Sequence, residues 1–493
     1  MSPRRARHAT LTRLLIATVA AVCHVWLAAP DAAAQAARYT ATDLGAFEPR
    51  GVNDAGQVAG RAFVGGREFA VLHDGTFKTI NPPGSSSAEA WSVNNRGQVV
   101  GSVFTCDIVD GNCVNGRTRA FIYRLGSFTI LGTLGGAGST GADIDEAGRA
   151  FGTADLPRPS PNVPLDSQAF ATTGGALENL GTRMGVEESR ATAVSPAGRL
   201  TGFFRNGNTD DGMFLYDSRD GSFKLISFNL QPWETPAQPA DVNDQGQIVG
   251  HYGGNDDGSG RAFLYDANSN TKTDLGKLLP AHTYSRAWAV NNAGQIVGVS
   301  SVSWFTRQDE HAFVYENGVM RDLNLLIPAG SGWVLNVATD INAHGQIVGT
   351  GRLDGQERAF LLTPTAPLVL LTEPDSDKAL AFDSVTFERD AFTLTTPRNF
   401  SADGRRRVTL LARNVELAPG ETAQQVVVRA EDARGQSHQL PVEHVARVRG
   451  FPSFAQITVR LIDALAPGGD FQLSVSFRGA TSNKATVTVK QTP

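Results

Sequence analysis

A nine-residue phrase returns along the chain, and this repetition constrains the fold more than any other feature. The clear copies are VNDAGQVAG (52–60), VNNRGQVVG (93–101), VNDQGQIVG (242–250), VNNAGQIVG (290–298) and INAHGQIVG (341–349). Two degraded copies that keep both glycines are IDEAGRAFG (144–152) and VSPAGRLTG (194–202). The first glycines of successive copies are 41 to 51 residues apart. A period of this length is typical of propellers and solenoids.

Within each repeat the apolar residues alternate with period two, which predicts strands rather than helices. In the sixth copy AWAVN and QIVGVS flank NAG, which suits a type I turn closed by a left-handed glycine. HAFVY at 311–315 and MRDLN at 320–324 form a second predicted hairpin. Each repeat therefore predicts four short strands. We expect the retained glycines to occupy positions of positive φ, where other residues are strained.

One phenylalanine marks the third predicted strand of every repeat. These residues are Phe69, Phe121, Phe170, Phe214, Phe263, Phe313 and Phe360. An aromatic side chain at a fixed place in each unit indicates packing between neighbouring units rather than a binding site.

Four antiparallel strands repeated seven times predict a seven-bladed β-propeller over residues 37–364. The seventh repeat lacks its fourth strand, because RAFLLT at 358–363 runs directly into PTAPL. YTATDLG at 39–45 matches the fourth-strand pattern TKTDLG at 271–276. We therefore expect the N-terminal strand to complete the last blade and close the ring, since an open solenoid would leave a strand edge exposed.

Residues 365–493 lack the repeat and form a second predicted domain. They contain short alternating segments such as QVVVRAED and DFQLSVSFRG, with turn sequences between them. Several short strands at this spacing predict an immunoglobulin-like β-sandwich. The whole chain is therefore expected to be all-β.

Residues 1–36 have the features of a cleaved signal peptide. A basic start that includes Arg4 and Arg5 precedes an apolar run at 14–29, which is short compared with the ~20 residues of a membrane span. The sequence AQA at 34–36 supplies the small-x-small pattern that signal peptidase cuts after. We predict a secreted or cell-envelope bacterial protein without a stable membrane span. An uncleaved membrane anchor is the alternative.

Two cysteines follow the predicted signal peptide, Cys106 and Cys113. In an oxidising compartment such a close pair usually forms a disulfide. A zinc site is not expected at this pair, because two cysteines without a nearby histidine cannot fill a tetrahedral shell. The formal charge of −5 and the 19% of charged residues give no indication of nucleic-acid binding.

The third predicted strands resemble HAF repeats, a family of bacterial extracellular proteins. HAF stands at 311–313, and RAF stands at 119–121, 261–263 and 358–360. The resemblance covers about residues 39–363 and implies a secreted repeat protein, but it brings no known activity or catalytic residues. The C-terminal stretch LPVEHVARVRGFPSFAQITVRL resembles, more loosely, a sandwich module of other secreted bacterial proteins.

The sequence favours binding over catalysis, because no metalloprotease, serine-hydrolase or phosphate-loop motif occurs in it. The long connections between predicted strands fall on one rim of the predicted propeller, where functional residues tend to gather. The aromatic residues at or beside this rim are Trp91, Trp233, Trp288, Trp304, Trp333 and Tyr284. Such side chains suit stacking on sugar rings or capping a protein ligand. Trp91 and Trp288 share one repeat position, which also suits a structural role. We predict a non-catalytic binding or scaffold protein for extracellular carbohydrate or protein.

Two alternatives stay open. One is a propeller-fold glycosidase or lyase that uses rim carboxylates such as Asp210, Asp256 or Asp309, and it requires two carboxyls about 5–10 Å apart in one pocket. The other is a purely structural envelope protein. No cofactor is expected, although the acidic loops at 208–212 and 254–260 have side chains of the type that bind calcium.

Overall fold

The computed structural model describes residues 38–491, apart from gaps at 110–111, 158–165, 208–209, 228–236, 254–258, 304, 306–308, 366–367, 399–401, 416, 418–420, 449–450 and 478–479. The predicted signal peptide lies outside the described residues. These residues divide into two compact units, Arg38–Thr365 and the part of the chain that follows it. Both units are built from β-strands, which confirms the all-β prediction.

Strands are numbered in chain order. Those of the first unit are β1 (Tyr39–Gly45), β2 (Glu48–Val52), β3 (Val58–Val64), β4 (Arg67–His73), β5 (Phe77–Thr79), β6 (Ser87–Val93), β7 (Val99–Val109), β8 (Asn112–Arg124), β9 (Ser127–Ile130), β10 (Ser139–Ile144), β11 (Ala150–Asp155), β12 (Ser167–Thr173), β13 (Ala176–Asn179), β14 (Glu188–Val194), β15 (Arg199–Asn206), β16 (Asp210–Asp217), β17 (Phe223–Ile226), β18 (Gln238–Val242), β19 (Gln247–Tyr252), β20 (Arg261–Asp266), β21 (Thr271–Gly276), β22 (Tyr284–Val290), β23 (Ile296–Ser301), β24 (His311–Glu316), β25 (Val319–Asp322), β26 (Trp333–Ile341), β27 (Ile347–Leu353) and β28 (Gln356–Pro364).

Those of the second unit are β29 (Val369–Leu370), β30 (Ala381–Asp383), β31 (Arg407–Arg413), β32 (Val427–Glu431), β33 (Ser437–Leu440), β34 (Val442–Val448), β35 (Phe451–Arg460), β36 (Gly469–Phe477), β37 (Ala480–Thr481) and β38 (Ala485–Val489). Helical structure among the described residues comprises α1 (Leu180–Met184) and the 3₁₀ turns Leu323–Leu325, Ala423–Gln425 and Asp463–Leu465. No helix in the described part of the chain has the length and apolar character needed to cross a membrane.

The first unit contains seven antiparallel four-stranded sheets, one for each copy of the repeat. Sheets 1 to 6 each use four consecutive strands, from β2–β5 in sheet 1 to β22–β25 in sheet 6. Sheet 7 has the order β1-β28-β27-β26. The N-terminal strand therefore pairs with the last strand of the unit, with Tyr39 opposite Pro364 and Thr42 opposite Leu361.

The repeated phrase forms the hairpin between the first and second strands of each sheet. In sheet 6 the side-chain Oδ1 of Asn291 accepts hydrogen bonds from the backbone N–H groups of Ala293 and Gln295, both at 3.0 Å. Gly294 closes the turn with φ of +75°, as the sequence predicts for a left-handed glycine. The asparagine and the first glycine of the phrase thus act together to fold the turn.

The second glycine of the phrase is required for space and not for a positive φ. Gly298 lies on β23, and a Cβ atom there would stand 2.0 Å from the backbone oxygen of Arg286 and 2.8 Å from the ring of Phe313. The expectation of positive φ at both glycines is therefore wrong for the second one. Only glycine lets the neighbouring strand and the aromatic ring approach this closely.

The phenylalanine expected in sheet 1 is at a different place from the other six. Phe121, Phe170, Phe214, Phe263, Phe313 and Phe360 are fully buried and lie opposite the second glycine of their sheet. In sheet 1 the residue opposite Gly60 is Val71, whereas Phe69 lies opposite Ala62 and is half-buried. Assigning Phe69 as the equivalent of the others was therefore wrong by two residues, which is one full side-chain period of a strand.

The apolar core of the first unit lies between successive sheets. One cluster joins Val249 and Leu275 of sheet 5 to Ile296 and Phe313 of sheet 6. Other clusters pair neighbouring sheets in the same way. This arrangement confirms that the repeated aromatic residue packs between units, and it explains why one sheet cannot bury its own apolar surface.

Buried asparagines also link five of the seven sheets to the next one. In each link the Nδ2 group donates to the backbone oxygen at the equivalent position of the next sheet. The links run Asn243 to Asn291 (3.1 Å), Asn291 to Asn342 (3.1 Å), Asn342 to Asn53 (2.9 Å), Asn53 to Asn94 (2.9 Å) and Asn94 to Asp145 (2.9 Å). The bond from Asn342 to Asn53 connects sheet 7 to sheet 1.

Two further features complete the fold. Cys106 of β7 and Cys113 of β8 form a disulfide across one hairpin, as predicted. The second unit has two five-stranded sheets, in which β30 and β38 pair beside the orders β29-β31-β35-β34 and β33-β32-β36-β37. One apolar cluster contains residues of both sheets, including Leu410 and Val475.

Candidate binding cavity

A β-bulge interrupts the first strand of all seven sheets of the first unit at the same place. The bulged residues are Arg50, Trp91, Ala142, Thr192, Ala240, Trp288 and Thr339. A bulge adds one residue to a strand and redirects its side chain, and it is common beside functional sites.

All seven bulged residues line one cavity of about 450 Å³. The residue after each bulge lines it too, and these residues are Gly51, Ser92, Asp143, Ala193, Asp241, Ala289 and Asp340. Every sheet of the first unit therefore contributes two adjacent residues to the lining of the same space. A volume of this size is typical of small-molecule sites.

Four carboxyl groups line this cavity: that of Glu89, and those of Asp143, Asp241 and Asp340 on alternate sheets. Asp340 accepts hydrogen bonds from the backbone N–H of Ile341 at 2.8 Å and of Val52 in the next sheet at 2.7 Å. Asp143 and Asp241 make the corresponding pairs of bonds, and each reaches the following sheet in the same way. The three side chains therefore hold neighbouring first strands together while they line the cavity.

Burial in this cavity raises the pKa of Asp143, Asp241 and Asp340, since a low-dielectric environment disfavours the charged form. The pKa of Asp143 is raised to about 6 and that of Asp340 to about 7. Burial also raises the pKa of Asp241 well above its ordinary value, and repulsion from Asp340 adds to the effect. The backbone hydrogen bonds oppose these shifts but do not cancel them. Asp143 and Asp340 therefore titrate near neutral pH.

The stability of the first unit should therefore fall as the pH rises from about 4 to about 7. In this range an unfolded carboxyl, with its pKa near 3.8, has lost its proton, whereas Asp143 and Asp340 retain theirs in the folded state. The folded state binds more protons, so acid stabilises it by up to about 1.4 kcal/mol per pH unit for each carboxyl. Chemical unfolding between about pH 4.5 and pH 8, followed by tryptophan fluorescence, measures the slope. Fluorescence reports on this unit alone, because every tryptophan after residue 36 precedes residue 334.

The substitution Asp340→Asn should flatten this slope, because the amide resembles the neutral acid but does not titrate. Asp354, exposed in the turn between β27 and β28, offers a matched control, and Asp354→Asn should leave the slope unchanged. Equal slopes for Asp340→Asn and the parent chain would contradict the assignment of the titrating group.

Two arginine–tryptophan pairs lie in the cavity beside the carboxyls. The guanidinium carbon of Arg286 is 3.5 Å from the ring centroid of Trp288, and that of Arg50 is 4.8 Å from the ring centroid of Trp91. These distances are those of cation–π contacts. Burial lowers the pKa of both arginines, which shows that their charges are poorly solvated. Tyr284 lies two residues before Arg286 on β22, and its hydroxyl interacts with the guanidinium electrostatically.

Arg286 carries a charge that the described protein does not neutralise. Arg50 has Glu48 at 3.5 Å, but Arg286 forms no ion pair within the residues that the structure describes. Its Nε atom, and Nε1 of Trp288, are buried without a hydrogen-bond acceptor among those residues. Buried donors of this kind are costly unless an acceptor is supplied. The cavity is thus lined by a cation that lacks an acidic partner among the described residues.

The structure divides the predicted aromatic site. Trp91 and Trp288 line the cavity, whereas Tyr284 is 3% exposed and reaches it only through Arg286. Trp333 begins β26 and packs edge-on against Phe360, with 6.0 Å between ring centroids. Trp233 and Trp304 lie outside the described residues.

The predicted acidic candidates are not in the cavity lining. Asp309 is exposed and lies between two histidines of sheet 6. Asp256 lies outside the described residues, as does the side chain of Asp210. The possible calcium loops at 208–212 and 254–260 fall partly in the gaps of the described chain.

Sequence reasoning missed Arg50, Arg286 and the three aspartates of the cavity. The residue after each bulge varies among glycine, serine, alanine and aspartate across the seven repeats, so no single motif marks it. Comparing the repeats column by column identifies two adjacent columns, immediately before the turn phrase, in which charged residues replace small ones. These columns contain Arg50 and the three aspartates but not Arg286. That variation within an otherwise uniform repeat was the available indication.

Residues 168–437, more than half of the chain, match a family model described as "Protein of unknown function (DUF3466)". The chain belongs to this family. The matched region begins within β12 and ends at the start of β33, and the family description assigns no activity. A comparison with curated proteins finds no significant match.

Two solved structures resemble this family member weakly. The crystal structure of dipeptidyl peptidase 4 from Porphyromonas gingivalis is 12% identical, with a TM-score of 0.34 over 78% of this chain and 66% of the peptidase. The chain thus spans just under two thirds of the peptidase. The crystal structure of polysaccharide lyase Uly1 is 10% identical, with a TM-score of 0.32 over 87% of this chain and 100% of the lyase. Similarities this distant assign no activity to the chain.

Proposed function

We propose that the first unit is a closed seven-bladed β-propeller and the second an immunoglobulin-like sandwich. The first strands of all seven sheets line one cavity, which supports a circular arrangement. The pairing of β1 with β28 and the hydrogen bond from Asn342 to Asn53 support closure. With the HAF-like motifs and the signal-peptide pattern at 1–36, this architecture supports a bacterial HAF-repeat protein that is secreted or held at the cell envelope.

The proposed function is non-catalytic binding of an extracellular carbohydrate that carries a carboxylate group. The observation that carries this proposal is Arg286, which lies against Trp288 in the cavity without an acidic partner among the described residues. A guanidinium suits a carboxylate because its N–H groups match the two oxygens. An indole ring beside it provides an apolar surface for the sugar ring.

The rest of the cavity is consistent with a polar ligand of small size. Thr140, Thr192, Thr339 and Ser92 supply hydroxyl groups among its lining residues. The three aspartates carry reduced negative charge near neutral pH because their pKa values are raised. They therefore repel an acidic ligand less than ordinary carboxylates would, and less still as the pH falls.

A titration with matched sugars tests the proposal. A chain that begins at residue 37 is mixed with oligogalacturonate or with a neutral galactose oligomer of the same length, and tryptophan fluorescence is recorded. We expect saturable binding of the acidic sugar and at least tenfold weaker binding of the neutral one. Arg286→Gln should abolish this preference. Trp288→Ala should weaken the binding of both sugars about tenfold or more, as expected for the loss of a buried aromatic contact.

The substitution Trp333→Phe supplies the matched control, because Trp333 contacts Phe360 and does not line the cavity. The Trp333→Phe variant should bind the acidic sugar with the same affinity as the parent chain. If Arg286→Gln binds the acidic sugar as tightly as the parent does, the assigned site is wrong. If no sugar binds, a protein ligand or a structural envelope role takes its place.

A glycosidase or lyase is the second candidate. Asp143 and Asp340 favour it, since two carboxyls with raised pKa values in one cavity are common in acid–base catalysis. Against it, both oxygens of each carboxyl accept backbone hydrogen bonds that tie the sheets together. Mass analysis of the titrated sugars separates the two functions. Shorter or unsaturated products that disappear with Asp340→Asn would establish an enzyme.

A further inference from the structure

Three potential metal ligands converge on sheet 6, away from the cavity. His282 precedes β22, Asp309 precedes β24, and His311 is the first residue of β24. One ligand atom from each of the three lies within 4.8 Å of the others. His282 is fully buried and Asp309 is exposed, so the cluster reaches from the protein interior to its surface.

Neighbouring groups fix the orientation of both imidazole rings. Nδ1 of His311 lies 2.7 Å from a carboxylate oxygen of Asp322, and a carboxylate only accepts, so this nitrogen carries the proton. Nδ1 of His282 lies 2.8 Å from the hydroxyl of Ser300. That hydroxyl can donate to the backbone oxygen of Tyr284, 3.3 Å away, and we assign it as the acceptor from His282. A neutral imidazole protonated at Nδ1 presents a lone pair at Nε2.

The two Nε2 atoms face the same carboxylate. Nε2 of His282 lies 3.4 Å from Oδ2 of Asp309, and Nε2 of His311 lies 3.1 Å from Oδ1. Nε2 of His282 is buried and has no hydrogen bond of normal geometry among the described residues. If both Nε2 atoms carry lone pairs, each of them repels the carboxylate oxygen that it faces. A positive charge between the nitrogens and the carboxylate removes this repulsion.

We propose that His282, Asp309 and His311 bind one Zn²⁺ ion. Ligands bound to zinc at about 2.0 Å in a tetrahedron lie about 3.3 Å from one another, close to the separations of Asp309 from the two imidazoles. Two histidines and one carboxylate are a ligand set that zinc uses with a fourth position left open. Asp322 and Ser300 hold the rings from behind, as supporting groups do in metal sites.

The nitrogen ligands select against other abundant ions. Calcium and magnesium prefer oxygen ligands in larger numbers, whereas imidazole suits zinc and its neighbours in the transition series. A bound ion would tie the segment before β22 to the start of β24. This proposal is independent of carbohydrate binding, because none of the three ligands lines the cavity.

Metal content and spectroscopy test the site directly. A chain that begins at residue 37, without a histidine tag, is stripped with chelator, loaded with zinc, desalted and assayed for metal. We expect one zinc per chain, a higher melting temperature with zinc than without it, and no such effect from calcium or magnesium. Cobalt in place of zinc should give the visible absorption of a four-coordinate site, which zinc then displaces.

Two variants make the result specific. Asp309→Asn removes the charged ligand at an exposed position whose φ of +57° asparagine also tolerates, so folding is preserved. We expect at least tenfold weaker zinc binding and loss of the cobalt spectrum. His344→Gln is the control, since His344 is exposed and lies 3.9 Å from a single carboxylate, that of Asp54. It should bind zinc like the parent chain.

Two outcomes would overturn the proposal. One is a parent chain that retains no zinc after desalting and shows no cobalt spectrum, which would mean that a proton on His311 supplies the positive charge. The other is equal zinc binding by Asp309→Asn and the parent. Neither outcome affects the sugar titration, so failure of the metal site and failure of the proposed function are distinguishable.

Discussion

Replacing Gly298 by alanine is expected to destabilise the first unit by about 3 kcal/mol or more. The added Cβ would stand 2.0 Å from the backbone oxygen of Arg286 and 2.8 Å from the Phe313 ring. The obstacle is the backbone of a paired strand, which cannot move aside as a flexible side chain can. The loss in free energy of unfolding therefore lies at the upper end of the range for overpacked cores. Thermal unfolding followed by tryptophan fluorescence should show a melting temperature lower by roughly 5 °C or more.

The same substitution should also weaken the binding site, because Arg286 would be displaced with its strand. Gly132→Ala is the matched control, since a Cβ at Gly132 meets nothing within 4 Å and its φ is not in the left-handed region. That variant should unfold within about 0.5 kcal/mol of the parent chain. Equal stability of Gly298→Ala and Gly132→Ala would refute the close approach of β22 and β23.

Removing β1 is expected to abolish the cooperative unfolding transition of the first unit. A chain that begins at residue 46 loses the whole β1–β28 ladder and the side chain of Tyr39, which is 2% exposed in the parent. It also loses the ion pair between Arg38 and Glu316. The edge of β28 would be left unpaired, which favours association with other chains. Light scattering and thermal unfolding of chains that begin at residues 38 and 46 measure both effects.

A synthetic peptide of residues 38–45 should restore the transition, because it supplies the backbone pairing with β28, the buried ring of Tyr39 and the ion pair of Arg38. A peptide with Tyr39→Ser should restore much less, since the buried ring is absent. If the chain that begins at residue 46 melts cooperatively at the same temperature as its parent, β1 is dispensable and the pairing of the two chain ends does not hold the unit together.

The strands of the first unit could be predicted from the sequence because their determinants are local. Gly294 and Asn291 form a turn that is specified within five residues, and the alternation on either side sets the strands. The error at Phe69 has a physical reason. A β-strand repeats every two residues, so an aromatic residue two positions away lies on the same face and satisfies the same pattern.

The cavity could not be predicted because its residues are far apart in the chain. Arg50 and Arg286 meet only when the first strands of different sheets come together, and neither belongs to a recognisable motif. The bulges that redirect Arg50 and Trp288 arise from strand pairing and leave no compositional trace. Trp91 and Trp288 were identified only because aromatic residues are conspicuous.

The histidine cluster illustrates the same limit. His282 lies on the connection before β22 and His311 begins β24, and their separation in sequence resembles no metal-binding motif. The pairing of β22, β23 and β24 brings them together, and Asp322 at the end of β25 completes their support. Spacing along the chain carries information about ligands only when they share one element.

The asparagine links between sheets have a consequence for how evenly the sheets of the first unit are joined. They run from sheet 5 through sheets 6, 7, 1 and 2 to sheet 3, but the equivalent positions of sheets 3 and 4 hold Asp145 and Ser195. Asp145 forms an ion pair with Arg149 of its own turn, and the Ser195 hydroxyl accepts from the Arg199 backbone. Sheet 4 is therefore held to its neighbours by other side chains: Asp143 accepts from the Val194 backbone, Arg149 donates to Ser218, and Asp244 accepts from the Ala197 backbone. Carboxylates and an arginine take the place of asparagines at these borders, so amide exchange there should respond to pH and salt more than at the other borders.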